Sequence, residues 1–575
     1  MSEFTEAQKQ YLEGLGRGLA AARTGAPPAA VPSGPEKIHF EPQNRVLAAG
    51  GKLTREEEAK RAKHPFDMWD EIVANGAKGE FPKGTDVFLY KFHGLFYVAP
   101  TQDSFMLRLR NPNGIIDAPK LRAVAAIAEE FGGGYAHVTT RANLQVREIA
   151  PRHAAAILVR LADAGLTSRG AGADNIRNIT GNPTAGVDPV ELYDTRPLGL
   201  ALHHAILNHR ELYGLPRKFN IAFDGGGSVA SLEDTNDIGF RAVRANGRVR
   251  FRVGVGGITG HGGFAGDLGV AIDPEQCTAV ALAIVRVFID EGDRTDRKKA
   301  RLKYVLDRMG LERFLAEVEK RLPTPLERLA LADCEPRPAL KPGAHVGFHS
   351  QKDPRQVYCG VALPVGRMTS TQMRGLADIA ERFGSGTLRL TVWQNLIISD
   401  IAAGVEAAIE AALAAIGLTS RVSMARAGIV ACTGNAGCKF AASDTKRHAL
   451  AIAEHLDGAL QLDSPVNMHI TGCPNSCAQH YVGDIGLLGA KVASADQELE
   501  GYHLFVGGGF GDQRRLGREV LRAIPATDVP RVIERLLHAY LAGRAGKSEF
   551  FRQFAERQST EALKAFAAGS VAEEA

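Results

Sequence analysis

Leu121-Arg-Ala-Val-Ala-Ala-Ile-Ala-Glu-Glu-Phe-Gly132 aligns without a gap on Met373-Arg-Gly-Leu-Ala-Asp-Ile-Ala-Glu-Arg-Phe-Gly384. The register runs on through Thr139/Thr391, Asn143/Asn395 and Leu144/Leu396, and both copies read strand, capped helix, strand. At nearly the same offset Thr180-Gly-Asn182 matches Thr433-Gly-Asn435, Asp237-Ile-Gly239 matches Asp484-Ile-Gly486, and Val255-Gly-Gly257 falls near Val506-Gly-Gly508. The chain is therefore two copies of one long unit, which predicts an internally duplicated α/β (α+β) molecule. Its 575 residues exceed what one hydrophobic core organises, so several domains are expected.

The copies differ where chemistry is carried. The second holds Ala431-Cys-Thr-Gly-Asn-Ala-Gly-Cys438 and Thr471-Gly-Cys-Pro-Asn-Ser-Cys-Ala478, a C-x5-C followed by a C-x3-C. In the first copy Ile179 takes the place of Cys432, and no cysteine stands near the counterparts of Cys473 and Cys477. Four thiolates suit a tetrahedral zinc or an iron–sulfur cluster. The C-x5-C half is loose for a zinc knuckle, whereas the glycines of 433–437 allow backbone N–H groups to point at sulfide. What the first copy has instead is Arg108, Arg141, Arg177 and Lys218. A site between the copies would have a redox-active floor and a positive wall.

The C-x5-C with T-G-C-P-N-x-C, followed by Gly483-Asp-Ile-Gly486 and Val506-Gly-Gly-Gly509, closely resembles the sirohaem-dependent nitrite and sulfite reductases, from about residue 85 to beyond 510. The resemblance implies two ferredoxin-like halves pairing into one domain, plus two larger α/β domains that bind sirohaem, related by a pseudo-two-fold. The segments it implies are an N-terminal extension and linker (1–84), a first ferredoxin-like half (85–152), a first larger domain (153–335), a second ferredoxin-like half (336–405) and a second larger domain (406–575). It implies that Cys432, Cys438, Cys473 and Cys477 hold a [4Fe-4S] cluster, with Cys477 bridging to the sirohaem iron. It implies further that Arg108, Arg177 and Lys218 line the distal anion pocket, and that Arg141 and Gln145 contact sirohaem.

Sirohaem carries eight carboxylates, so burying it requires several arginines and lysines. Members of the family that reduce sulfite typically read Lys-x-Lys where this chain reads Lys218-Phe219-Asn220, and those that reduce nitrite read Lys-x-Asn. The expectation is six-electron reduction of nitrite to ammonia, most like the ferredoxin-dependent assimilatory enzymes, with sulfite as the alternative substrate. A sirohaem-free iron–sulfur carrier would need the cysteines without the arginines. Gly254-Val-Gly-Gly-Ile-Thr-Gly260 is followed by too many glycines to open the helix of a dinucleotide site, so the resemblance points to ferredoxin as electron donor.

The remaining features are plainer. A net charge of +4 makes no case for nucleic acid, and no apolar run reaches the length of a membrane span. A cytoplasmic protein is expected, where thiolates stay reduced. Residues 24–35 have a linker's composition, and Thr54-x-x-Glu57 reads as a capping box opening a charged helix toward Trp69. Residues 87–98 and 105–109 read as strands, the latter placing Arg108 and Arg110 on one face. Residues 275–335 read as mainly helical, with Arg294, Arg297, Lys298, Lys299, Arg301 and Lys303 forming a solvated helix face. Cys277, Cys334 and Cys359 read as small buried apolar residues.

Overall fold

The computed structural model describes residues 34–494 and 497–569. Most of the linker-like stretch 24–35 lies outside them. In chain order the strands are β1 (Leu95–Val98), β2 (Ser104–Arg108), β3 (Ile115–Asp117), β4 (Tyr135–Val138) and β5 (Leu144–Ile149), then β6 (Ile221–Asp224), β7 (Ile238–Ala245), β8 (Arg248–Val255) and β9 (Gly266–Ile272). The second copy repeats them as β10 (Gly347–Ser350), β11 (Gln356–Val361), β12 (Arg367–Thr369), β13 (Thr387–Leu390) and β14 (Leu396–Ala402), then β15 (Ile429–Ala431), β16 (Met468–Thr471), β17 (Ile485–Ser494), β18 (Gln497–Val506) and β19 (Arg518–Pro525).

The two smaller halves are joined by reciprocal strand exchange. One sheet runs β1-β2-β5-β4-β12 and the other β10-β11-β14-β13-β3, so each half lends its three-residue strand to the edge of the other's sheet. Thr369 pairs with Tyr135 in the first sheet and Asp117 with Thr387 in the second. The lent strands lead directly into the repeated helices. Asp117 caps Ala118–Phe131 by accepting the Lys120 N–H, and Thr369 caps Ser370–Phe383 in a full capping box with Gln372. The helices pack on each other, and their charges keep the pseudo-symmetry: Arg122 pairs with Asp378 and Glu381, while Arg374 pairs with Glu129. Each helix ends at a glycine with no room for a side chain, since a Cβ on Gly132 would lie 2.6 Å from the Arg147 carbonyl and one on Gly384 2.4 Å from that of Ser399.

The larger halves share the plan of a parallel pair continued by antiparallel hairpins. In the first, β6 runs parallel to β7, which continues through β8 and β9. The second adds β15 outside β16, where the first has only the bridges Ile176–Phe219 and Thr180–Ala222. The second larger half has its own core, around Ile452, Leu456, Met468, Leu504 and Leu536. The first larger half and both smaller halves share another.

Several expectations are corrected. Residues 87–93 form helical turns, Asp86–Leu89 and Tyr90–His93, ended by Gly94 at φ 80°, and only 95–98 is strand. A short apolar run has no period of its own to separate the two states. The helix capped by Thr54 stops at Ala62, and a new one starts at Trp69. Arg110 lies beyond the end of β2, fully buried, and donates to the Ile176 carbonyl at 2.6 Å. Residues 292–301 are a loop between helices Cys277–Glu291 and Leu302–Met309. Arg294 and Arg301 are buried there against Glu57 and Asp237, because each has a carboxylate to neutralise it. Cys277 and Cys359 are buried, but Cys334 is partly exposed beside Arg252.

Candidate active site

Strands β15 and β16 are parallel and in register, with Ala431 opposite Ile470, so the two cysteine motifs leave the same end of the sheet. Ligand sites of α/β sheets form at such carboxyl ends. Gln394 fixes the exit of β15, accepting the Ala431 N–H at 2.9 Å and donating to its carbonyl at 2.8 Å. The Gly472 N–H donates to Cys432 Sγ at 3.2 Å, a backbone amide aimed at a thiolate position. Gly434 sits at φ 71°, and a Cβ there would meet the Thr445 nitrogen at 2.6 Å.

Cys432, Cys438, Cys473 and Cys477 are all free thiols. Cys477 senses Cys432, Cys473 and Cys438 electrostatically, so the four converge on one region. Yet among the described residues no three His, Cys, Asp or Glu side chains approach closely enough to hold a single metal ion. Four thiols at the ends of neighbouring parallel strands, with a backbone amide aimed at one of them, fit the ligand set of an iron–sulfur cluster. Cys477 keeps exposed surface, yet burial, countered by Lys218, pushes its thiol up to about 11.

The first copy supplies cations to the same region. Arg108 ends β2, stacks 4.4 Å over the Phe96 ring and reaches the Ala171 carbonyl at 3.5 Å. Arg177 donates to the Ala171 and Ala173 carbonyls at 3.0 and 2.6 Å. Arg141, on a hairpin turned at Ala142 (φ 45°), donates to Asn236 Oδ1 at 2.7 Å and to the Asn178 carbonyl at 2.5 Å. Lys218 and Asn220 flank the buried Phe219 and are partly exposed. Arg108 and Lys218 both lie within electrostatic reach of Cys477.

Like charges press on one another here. Burial pushes Arg108 down to about 10 and Arg141 down to about 9, and burial with Arg108 drives Arg177 well below its ordinary range. Burial, then Arg301, brings the Lys218 ammonium down to about 7. Guanidiniums keep their protons, so this pressure is a demand for a counter-anion. Buried and without a partner, Arg141 Nε and Arg177 Nε leave donors free for one. The donor set and the unpaired cations both fit a polyanionic tetrapyrrole bound beside a cluster.

Gln145, which the resemblance names, leads to two participants whose roles the sequence did not reveal, Arg147 and Asp237. Gln145 pairs across the sheet with Arg108 and with His137, and its side chain accepts from Arg147 at 3.0 Å. Arg147, two residues on along the same face of β5, also donates to Thr433 Oγ1 at 2.8 Å and tethers the cysteine loop. The strand period alone points to it. Asp237 accepts the Asn220 N–H at 2.8 Å and pairs with Arg301; its place in the repeated Asp-Ile-Gly was the available signal. No helix among the described residues is long and apolar enough to cross a membrane.

The "Nitrite and sulphite reductase 4Fe-4S domain" matches residues 172–326 and 425–565, and the "Nitrite/Sulfite reductase ferredoxin-like half domain" matches 97–164 and 349–416. The ferredoxin–nitrite reductase of Synechococcus elongatus is 37% identical over 509 residues, covering 86% of this chain and 98% of the relative. The chloroplastic ferredoxin–nitrite reductase of Zea mays is 36% identical, covering 78% and 80%. The assimilatory ferredoxin-dependent nitrite reductase of Haloferax mediterranei is 33% identical, covering 82% and 86%. The solved Mycobacterium tuberculosis NirA protein superposes with a TM-score of 0.82 at 28% identity, covering 90% of this chain and 99% of that one. With both domain types matched twice and the cysteines gathered at one sheet end, the chain belongs to the nitrite and sulphite reductase family, oxidoreductases that use sirohaem and a [4Fe-4S] cluster.

Proposed function

We propose that this protein reduces nitrite to ammonia in six one-electron steps, taking the electrons from ferredoxin in the cytoplasm. The observation that carries the reading is that Arg108 and Lys218 from the first copy lie within electrostatic reach of Cys477 from the second. Cys432, Cys438, Cys473 and Cys477 would hold the cluster, Cys477 would also help to hold the sirohaem, and Arg141 and Gln145 would bind the tetrapyrrole. When bound, the pair would supply the electrons singly.

The chain's own residues do the rest. Arg108 and Arg177, permanently charged, bind and orient the small anion. Lys218, near neutral pH in its proton affinity, is suited to deliver protons as oxygens leave as water. Asn220 supports nitrite over sulfite, since at this position a monoanion needs one cation fewer than a dianion. The names of the relatives agree with that preference. The test is parallel steady-state assay of nitrite and sulfite with one reductant, beside a visible spectrum. Higher kcat/KM for nitrite with tetrapyrrole bands supports the reading; preference for sulfite, or a spectrum of a bare cluster, overturns it.

A further inference from the structure

The segment before the first matched domain, which begins at residue 97, reaches the two segments that carry Arg177 and Lys218. Its helix Arg55–Ala62 carries three consecutive glutamates and reads as solvated, and Thr54 does cap it by accepting the Glu57 N–H. The Glu57 carboxylate, however, turns inward and is 1% exposed. It accepts from Gln43 at 2.9 Å, from Arg294 at 2.6 Å and from Lys60.

Lys60 has only 5% of its side chain exposed. Besides Glu57 it donates to the Leu215 carbonyl at 2.7 Å, the Gly214 carbonyl at 3.3 Å and Asp174 Oδ2 at 3.4 Å. These acceptors stand on two separate segments, one leading to Arg177 and the other to Lys218. The same segments pair through backbone bonds, Arg177 N–H to the Phe219 carbonyl at 2.8 Å and Phe219 N–H to the Asn175 carbonyl at 3.0 Å. Asp174 is wholly enclosed and also takes two bonds from Arg297, at 2.7 and 2.8 Å. Burial alone would raise its carboxyl, but Lys60, then Arg297 and Arg217, hold it below the ordinary range.

We propose that Lys60 is a positioning residue for the reduction: its ammonium joins the Arg177 segment to the Lys218 segment, so that the N-terminal extension sets the spacing of the two anion-binding cations. This rests on the reading of Arg177 and Lys218 as the nitrite pocket. Without Lys60, the Gly214 and Leu215 carbonyls lose a charged donor and Asp174 is left to Arg297 and Arg217 alone. A shift of about 1 Å in a charged group costs up to about a hundredfold in rate.

The test uses the full-chain holoenzyme and compares Lys60→Met, Lys60→Arg, Arg177→Met and Arg45→Met. The last removes only an exposed tie of the same extension, from Arg45 to Asp290. Nitrite Kd is read from its perturbation of the oxidised visible spectrum, kcat and KM with a reduced viologen, and iron and tetrapyrrole contents by analysis. Expected are parental contents and a Kd weakened about tenfold or more in Lys60→Met, with KM moving more than kcat, partial recovery in Lys60→Arg, and no change in Arg45→Met. A Kd within twofold of the parent in Lys60→Met, beside a large loss in Arg177→Met, overturns the proposal and leaves the pocket standing. An unchanged Kd in Arg177→Met overturns the pocket and the proposal with it. Should Lys60→Met lose its cofactors, Lys60→Gln, which keeps two N–H donors, is judged by the same thresholds.

Discussion

Arg301 donates to both carboxylate oxygens of Asp237, at 2.7 and 3.2 Å, with both side chains almost fully buried. The same Asp237 accepts the Asn220 N–H, and its charge reaches Arg141. One ion pair therefore braces the candidate proton donor segment and the candidate sirohaem contact. Removing one partner of a buried pair leaves an uncompensated charge and costs about 3–5 kcal/mol, whereas removing both is often close to neutral. Asp237→Asn is expected to lower the thermal midpoint strongly, and Asp237→Asn with Arg301→Met to recover most of it. Equal losses in the single and double variants would show that the pair does not act as a unit.

Cys477→Ser should disrupt both the cluster and its coupling to sirohaem, whereas Cys334→Ser should leave both intact. A serine hydroxyl is a poor substitute for a thiolate ligand. Cys334 lies far from that role, partly exposed with the Ala330 carbonyl 3.7 Å away. Iron, sulfide and tetrapyrrole analyses read the result directly, and parental contents in Cys477→Ser would remove it from the ligand set.

Asn220→Lys should shift preference toward sulfite. A cation added to a partly desolvated pocket is worth about 1–3 kcal/mol, or about ten- to a hundredfold in relative kcat/KM. Nitrite should lose as sulfite gains. A ratio that does not move would mean that the Asn220 side chain faces elsewhere, although its backbone is held by Asp237.

What the sequence made legible is what repeats or has a fixed spacing. The duplicated helices with their glycines and the four cysteines could be placed without coordinates, as could the arginines matching the family motifs. The exchanged strands 115–117 and 367–369 could not, because three residues carry no periodicity and their partners lie on the other copy. Nor could the fate of 294–303, since a local charge run looks solvated until a distant carboxylate such as Glu57 or Asp237 is seen beside it. Lys60 was hidden for the same reason.

Glu233 supplies a pH test. Burial, then Asp224 and Asp234, holds its carboxyl well above the ordinary value, against the pull of Arg337 and Arg241; burial also pushes Asp234 up to about 6, while Gly511 N–H and Arg514 oppose. A folded-state carboxyl raised above its unfolded value keeps its proton when the unfolded chain has lost it, so its contribution to stability declines as pH rises from about 4.5 toward the folded value. Asp224, which burial alone would raise but which Arg337 holds low, contributes with the opposite sign. Glu233→Gln cannot ionise, so the difference in thermal midpoint between variant and parent should grow in the variant's favour from pH 5 to pH 8. Parallel curves would mean that Glu233 does not carry the raised value.

The donor can be tested through charge. Within the basic loop Arg294 and Arg301 are buried and paired, and Arg297 is engaged with Asp174, which leaves Lys298 and Lys299 as its exposed cations. If an acidic ferredoxin docks through exposed cations, turnover at limiting donor should fall steeply with ionic strength, because such attractions are screened over about 8 Å near physiological salt. Turnover driven by a reduced viologen should barely change, since it requires no oriented protein interface. Neutralising Lys298 and Lys299 together should raise the apparent KM for ferredoxin and leave that for nitrite unchanged, for Arg297 and Arg301 remain to hold Asp174 and Asp237. Equal salt sensitivity with both donors would place the effect on anion binding. An unchanged ferredoxin KM in the double variant would leave the two lysines as ordinary solvated surface and move the dock elsewhere on the protein.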